Sequence, residues 1–361
     1  MSHRTSFYQV PNQGFLKHIG HMQTQSRRSF LNSPSRRNAR DDDYWLHVNR
    51  AAMACRFEVT LPMRDRAGVV VATEALNEVD ALEAQLTVFR ESSEVSHVNR
   101  HAATEPVVVE QALFDLLVLC KDLYRETEGA FDITSGPLTR CWGFLRREGR
   151  VPENQEIESA RSLVGSDKLL LDHASRTIRF AQPGVEINLG SIGKGYALDR
   201  VASLIEKRVQ TALLNAGASS IRAIGSGSAT DRRSGGWQVG LRHPRSKNRR
   251  LGIVGIRDCT VSTSGAEEQF FEHNGKRYGH IIDPRTGWPA GNVTSVTVLA
   301  RAAAISDALA TAFYVGGREL AERYCSTHRD ILVIMLESDA QSPVVIGSNK
   351  GCEIQCFRMN I

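Results

Sequence analysis

Tyr278-Gly279-His280-Ile281-Ile282-Asp283-Pro284-Arg285-Thr286-Gly287-Trp288-Pro289, followed by Ser306-Asp307-Ala308-Leu309-Ala310-Thr311, is the stretch from which the rest of the chain can be read. The first run reads as a strand end entering a turn: Asp-Pro opens it, Thr-Gly completes it and Pro289 prevents continuation. His280 stands just before that turn, where a rigid scaffold can present an imidazole. The second run is a helix of small residues. Its Asp307 and Thr311 put a carboxylate and a hydroxyl on one face, a turn from each other. Oxygens so placed can hold a hard cation such as Mg²⁺, which keeps several waters and takes phosphate oxygens as further ligands. The same spacing also describes the polar edge of an ordinary amphipathic helix, and spacing alone favours that simpler reading.

Around this stretch lies a chain of 361 residues, 41% hydrophobic and 24% charged, which is the balance of a soluble globular protein with ample core. The net charge of +5 misleads, because residues 1–40 carry Arg and Lys and no acid, so the remainder is close to neutral. No basic stripe with interleaved aromatics is present, which argues against a nucleic-acid partner. Residues 1–43 lack apolar periodicity and are expected to be a disordered or loosely held arm, with one folded domain over 44–361. Ser26-Arg27-Arg28-Ser29-Phe30-Leu31 is similar to a twin-arginine export box, but Asn32-Ser33-Pro34 follows where a signal peptide needs an apolar run. With no lipobox or membrane-spanning run, no stable membrane anchor is expected. Seven scattered cysteines fit a reducing compartment, so a cytoplasmic location is favoured, with an exported one as the alternative.

Along the domain, Phe57–Leu61 alternates as a strand that Pro62 ends. Residues 68–86 read as a helix with Val71, Ala75, Leu76, Val79, Leu82 and Leu86 on one face. A helix over Gln111–Glu126 runs into Glu128-Gly129-Ala130-Phe131-Asp132. There the small Gly-Ala pair lets backbone approach a ligand, Phe131 can stack on a ring and Asp132 can accept from a ring amine or ribose hydroxyl. The same residues also make a plain helix-terminating loop. Leu169–Asp172 and Thr177–Phe180 read as a hairpin. Glu186-Ile187-Asn188-Leu189-Gly190-Ser191-Ile192-Gly193-Lys194-Gly195 reads as a strand, a glycine-rich turn and a helix start. Glycines at a helix N-terminus expose N–H groups to a phosphate, and Lys194 adds positive charge. It is not a Walker A loop, since Gly195 follows the lysine.

Taken together, His280-Ile281-Ile282-Asp283-Pro284-Arg285-Thr286-Gly287 with Asp307-Ala308-Leu309-Ala310-Thr311 resembles the signature of the ApbE family, the FAD:protein FMN transferases. Further segments resemble the family in order over roughly residues 51–340. Met53-Ala54-Cys55-Arg56-Phe57 stands where the family has Met-Gly-Thr-Arg-Phe, and Val88-Phe89-Arg90-Glu91-Ser92-Ser93-Glu94 where it has Tyr-Arg-Pro-x-Ser-Glu. The resemblance implies an α+β fold of largely antiparallel strands with packed helices, in two interwoven halves around a flavin-nucleotide site. It implies FAD contacts from Met53, Phe89, Ala130, Phe131, Asp132, Asn188, Lys194 and Ile281. It also implies Mg²⁺ bound by Asp307, Thr311 and the Ser191 carbonyl, with His280 as the catalytic group. Phe89 replaces a tyrosine of the pattern, and three further departures lose or lack an acid: Asn188 and Ser219 replace acids, and Ala266 stands where an acid or amide is common.

The reaction so implied is Mg²⁺-dependent transfer of FMN from FAD to a Thr or Ser hydroxyl of a partner flavoprotein, releasing AMP. The departures leave two alternatives open: hydrolysis of FAD to FMN and AMP, or FAD binding without catalysis.

Overall fold

The computed structural model describes residues 23–26, 44–227, 236–246, 249–265, 269–348 and 353–359, the first and last of these as backbone. The chain begins β1 (Gln23–Ser26), β2 (Tyr44–Ala52), β3 (Cys55–Pro62), α1 (Gly68–Leu86), α2 (Glu94–His101), β4 (Val107–Val108) and α3 (Gln111–Glu126). The middle holds α4 (Gly136–Cys141), α5 (Asn154–Arg161), β5 (Leu169–Asp172), β6 (Thr177–Phe180), α6 (Gly193–Ile205), β7 (Ala212–Ala216) and β8 (Ser220–Ile224). There follow β9 (Trp237–Arg242), β10 (Arg250–Arg257), β11 (Thr260–Gly265), β12 (Phe270–His273), β13 (Lys276–Gly279) and β14 (Val293–Ala300). Last come α7 (Ala303–Thr327), β15 (Leu332–Glu337), β16 (Val344–Gly347) and β17 (Glu353–Met359).

Nine strands form one sheet in the order β1-β2-β3-β7-β8-β11-β14-β15-β16, with small sheets β17-β10-β9, β4-β6-β5 and β12-β13 beside it. Every described pairing within it is antiparallel, so the α+β reading holds. β14 shows why the sheet is covered on both faces. Its Val296, Val298 and Ala300 enter the main core beneath α1, α6 and α7, while Leu299 joins the apolar cluster under β9 and β10. A third cluster, built from Leu138, Trp142, Phe144, Ile157, Phe271 and Ile282, packs α4 and α5 against the β12–β13 hairpin.

Local signals account for most of these elements. The Glu110 carboxylate caps α3, accepting from Ala112 N–H (2.9 Å) and Leu113 N–H (3.2 Å). Asn274 (φ +50°) and Gly275 (φ +75°) form the tight β12–β13 turn. Two expectations need correction. On α1 the buried face is Ala72, Ala75, Leu76, Val79, Leu82 and Leu86; Val71 is only half-buried, at the rim of that stripe. Residues 186–189 are not a strand: Asn99 of α2 both donates to and accepts from the Ile187 backbone (2.9 and 2.8 Å), and Asn188 N–H donates to Ile133 O (2.7 Å). A side chain and a loop supply what a ladder partner would otherwise give.

Helix α7 is broken at Gly317, whose φ of +71° and ψ of −165° are open only to glycine. Among the described residues no helix is long and apolar enough to cross a membrane. Of the expected N-terminal arm, β1 pairs with β2 from Gln23↔His47 to Ser26↔Tyr44, and the rest lies outside the described residues. The arm's sequence shows no apolar periodicity and its β1 is a four-residue edge strand. Deleting residues 1–43 is therefore expected to shift the melting temperature by less than ~4 °C. A larger loss in a calorimetric scan would show that the arm contributes to the stability of the domain beyond this edge pairing.

Candidate functional site

The site is assembled where the first turns of α6 and α7 meet. Asn188 Oδ1 accepts from Gly190 N–H (2.9 Å), closing a turn that feeds α6. Gly193 N–H bonds to Leu189 O (2.7 Å), and Tyr196 N–H to Ile192 O (2.9 Å). Between them, the Gly195 N–H points out of its own helix and donates to Asp307 Oδ2 on α7 (3.0 Å). Only glycine allows this approach, since a Cβ here would lie 2.1 Å from the Ala303 carbonyl oxygen. In return Asp199 of α6 caps α7, its two oxygens accepting from Ala303 and Ala304 N–H (2.8 Å each). Burial pushes the Asp199 carboxyl above the usual carboxylate range, against the pull of those two donors.

Asp307 is 5% exposed, and its second oxygen, Oδ1, accepts from Ser220 Oγ (3.1 Å). Thr311, half-buried one turn along, has its hydroxyl 3.2 Å from Ser264 Oγ. Lys194 is half-buried in the first turn of α6, and Ser191 is half-buried just ahead of it. Of the expected metal residues, Ser191 lies two residues ahead of α6, and Asp307 and Thr311 stand one turn apart on α7, with Asp307 tied to the α6 start by the Gly195 bond. A carboxylate, a hydroxyl and a backbone carbonyl are hard oxygen donors, and each Asp307 oxygen retains a lone pair beyond its one hydrogen bond. That chemistry fits Mg²⁺. Among the described residues no three His, Cys, Asp or Glu side chains cluster.

His280 directly follows β13. Its N–H and its Nδ1 both meet the Gln269 carbonyl (3.0 and 3.1 Å). A carbonyl can only accept, so Nδ1 carries the proton and Nε2 the lone pair of the neutral ring. The following turn is rigid. Asp283 exchanges backbone bonds with Gly287 and Trp288 (2.8 Å each), and its carboxylate holds Arg285 by N, Nε and Nη2 (2.9 Å each). Gly287 takes φ +77°, and Trp142, fully buried, donates from Nε1 to its carbonyl (2.8 Å). Ile281 is half-buried against the main core, its carbonyl bonded to Ala290 N–H (2.9 Å).

Phe89 and Asn188 line a cleft of about 280 Å³ with Val88, Asn99, Arg140 and Glu186. Phe89 is 73% exposed there, and Arg140 clasps Glu186 through two bonds of 2.6 Å. Met53 lies in the two-residue β2–β3 turn at φ +50°, its N–H held by Glu83 Oε1 (2.8 Å). Such a backbone conformation is costly for a non-glycine residue and persists only where its surroundings enforce it. Ala130 and Phe131 are each 1% exposed and belong to the main core. Asp132 turns inward too: its Oδ1 accepts from Thr134 N–H, Thr134 Oγ1 and Ser166 Oγ at 2.7–2.8 Å. Burial raises its carboxyl above the ordinary range while those bonds pull the other way. In this structure the Phe131 and Asp132 side chains thus brace their own loop from within. Ser219 is half-buried, and Ala266 lies outside the described residues. Sequence reasoning passed over Ser220, Ser264, Asp199 and Trp142, whose partners lie 47 to 145 residues away.

The antiparallel α+β fold with helices packed on one face of its large sheet gives the structural class, and comparison with known proteins makes it specific. The ApbE family model matches residues 53–335, and the chain belongs to the ApbE family. It is 34% identical over 261 residues to a FAD:protein FMN transferase of Treponema pallidum (strain Nichols), spanning 68% of this chain and 72% of that protein. A protein of the same description from Klebsiella pneumoniae (strain 342) is 33% identical over 232 residues, 63% of this chain and 70% of that one. Among solved structures, the ApbE protein from Thermotoga maritima aligns with a TM-score of 0.73 at 28% identity, over 84% of this chain and 97% of that one. The flavin transferase ApbE from Vibrio cholerae aligns over the same shares, with a TM-score of 0.70 at 26% identity.

The Trp142–Gly287 bond generates a stability prediction. Trp142→Phe keeps an aromatic ring in the third cluster but strands the Gly287 carbonyl, at an expected cost of ~1–3 kcal/mol. Urea unfolding measures it; a loss under ~0.5 kcal/mol would mean that the carbonyl finds another donor.

Proposed function

We propose that this chain transfers FMN from FAD to a Ser or Thr hydroxyl of a partner flavoprotein and releases AMP. The observation that carries the reading is the α6–α7 junction, where Asp307 and Thr311 stand against a glycine-rich helix start bearing Lys194. The family relatives described as FAD:protein FMN transferases support the same reaction.

In this reading the acceptor oxygen bonds to the FMN phosphorus, and the bond from that phosphorus to the AMP oxygen breaks. Mg²⁺ held by Asp307, Thr311 and the Ser191 carbonyl would supply charge neutralisation at the pyrophosphate. The chain's own groups do the rest. Lys194 and the α6 N-terminus face negative charge with positive potential. His280 Nε2 takes the proton of the acceptor hydroxyl, a role for which imidazole is suited near neutral pH. Phe89 offers an exposed aromatic face for a ring system, and Met53 is held in place beside the same half of the sheet.

The test is to incubate the purified protein with FAD and Mg²⁺, with and without a Thr-containing acceptor peptide. Covalent flavin on the peptide plus AMP is expected. Free FMN and AMP irrespective of the peptide would instead make the protein a hydrolase, favoured by the missing acids at Asn188 and Ser219. Unchanged bound FAD would make it a binding protein.

Two substitutions separate the roles. His280→Ala is expected to bind FAD normally and to turn over at least ~10²-fold more slowly; weakened FAD binding with unchanged turnover would assign His280 to the turn alone. Asp307→Ala should abolish turnover with the fold intact, and a chelator should reproduce that defect in the unaltered protein until Mg²⁺ is added back. Thr311→Val should weaken cation binding less severely. Normal, chelator-insensitive activity of Asp307→Ala would remove the cation from the site.

A further inference from the structure

Apolar packing lays α7 on the sheet, and a row of hydroxyl contacts adds a directional restraint on its face. In the β8–β11 ladder Ser220 lies opposite Ser262, and Ser262 and Ser264 project to one side of β11. Ser262 Oγ lies 2.8 Å from Ser306 Oγ, to which Thr260 Oγ1 also donates (3.0 Å). Ser264 Oγ lies 3.2 Å from Thr311 Oγ1, and Ser220 Oγ donates to Asp307 Oδ1 (3.1 Å). Neighbouring strands thus grip Ser306, Asp307 and Thr311 separately. Ser220, Thr260, Ser262 and Ser306 are fully buried. A net gain of about 1 kcal/mol per hydrogen bond makes such a row a modest source of stability, so its main effect is directional.

Ser220 differs from the others because it acts on a carboxylate oxygen of the candidate cation site. Gly195 N–H engages Oδ2 from α6, and Ser220 engages Oδ1 from the sheet. Two donors on different elements, one per oxygen, fix the plane of the carboxylate and therefore the direction of its remaining lone pairs. We propose that Ser220 is a positioning residue of the cation site: its hydroxyl orients the Asp307 carboxylate and so sets the affinity for a divalent cation. This rests on the reading of Asp307 and Thr311 as cation ligands.

The experiment titrates Mn²⁺, an oxygen-seeking stand-in for Mg²⁺, into the full chain with and without FAD, and follows free Mn²⁺ by electron paramagnetic resonance. Ser220→Ala is expected to weaken Mn²⁺ binding by ~10–100-fold, the usual effect of deleting a group that orients a metal ligand. Ser220→Cys, which keeps the shape with a weaker donor, should fall between the two and serves if the alanine variant folds poorly. Ser262→Ala removes a hydroxyl pair of the same kind without touching Asp307, and should lower the melting temperature while binding Mn²⁺ as the unaltered protein does. If Asp307→Ala loses Mn²⁺ but both Ser220 variants bind it normally, the cation site stands and the role of Ser220 falls. An equal loss in Ser262→Ala and Ser220→Ala would also overturn it, reducing Ser220 to general packing. Failure of the unaltered protein to bind Mn²⁺ in either condition would overturn the cation reading and this inference together.

Discussion

Two helix starts exchange acids, and the site depends on that exchange. Asp199 leaves α6 to cap the first N–H groups of α7, while Asp307 leaves α7 to take the Gly195 N–H of α6. Each carboxylate sits at the positive end of the other helix, where it is electrostatically favoured. Neither helix can rotate or slide without breaking a bond at both ends. The absence of a side chain at Gly195 is what makes the distance possible, since any Cβ would collide with the Ala303 carbonyl. The glycine-rich start of α6 and the Asp307 carboxylate are thereby one unit.

The remaining layers place other groups around that unit. The large sheet is apolar on both faces, so α1, α6 and α7 share one side and β9 and β10 close the other. His280 is supported by the third cluster, whose Trp142 reaches the Gly287 carbonyl across 145 residues of sequence. Its position is thus set by α4 and α5 together with the β12–β13 hairpin. His280 and the Asp307–Thr311 pair are thus held by separately packed parts of the chain.

Much of this was legible locally. The α3 boundaries and the β5–β6 hairpin follow from periodicity and turn chemistry within a few residues, and the structure has them where expected. Asp307 and Thr311 were readable as a pair because four residues make one helical turn. The sequence misled where long-range groups replaced local ones. Residues 186–189 carry strand-like alternation, yet Asn99 supplies the backbone bonds a ladder would have made. Ser220 and Asp199 looked like ordinary polar residues because their partners lie 87 and 104 residues away. The bond from Ser166 to Asp132, 34 residues apart, and the packing of Phe131 in the main core were likewise not visible in composition.

The break at Gly317 gives α7 two separate axes. A Cβ added there would meet nothing within 4 Å, so the position is reserved by backbone torsion rather than by crowding. The segment before it carries Asp307 and Thr311, and the segment after it carries the exposed Arg318–Glu322 ion pair and the stacked Tyr324 and His328 rings. That later segment has its own anchorage in the main core through Leu320, Ala321, Tyr324 and Cys325. Its exposed positions, Arg318 and Glu322 among them, can therefore vary without touching the bonds that set the α6–α7 junction.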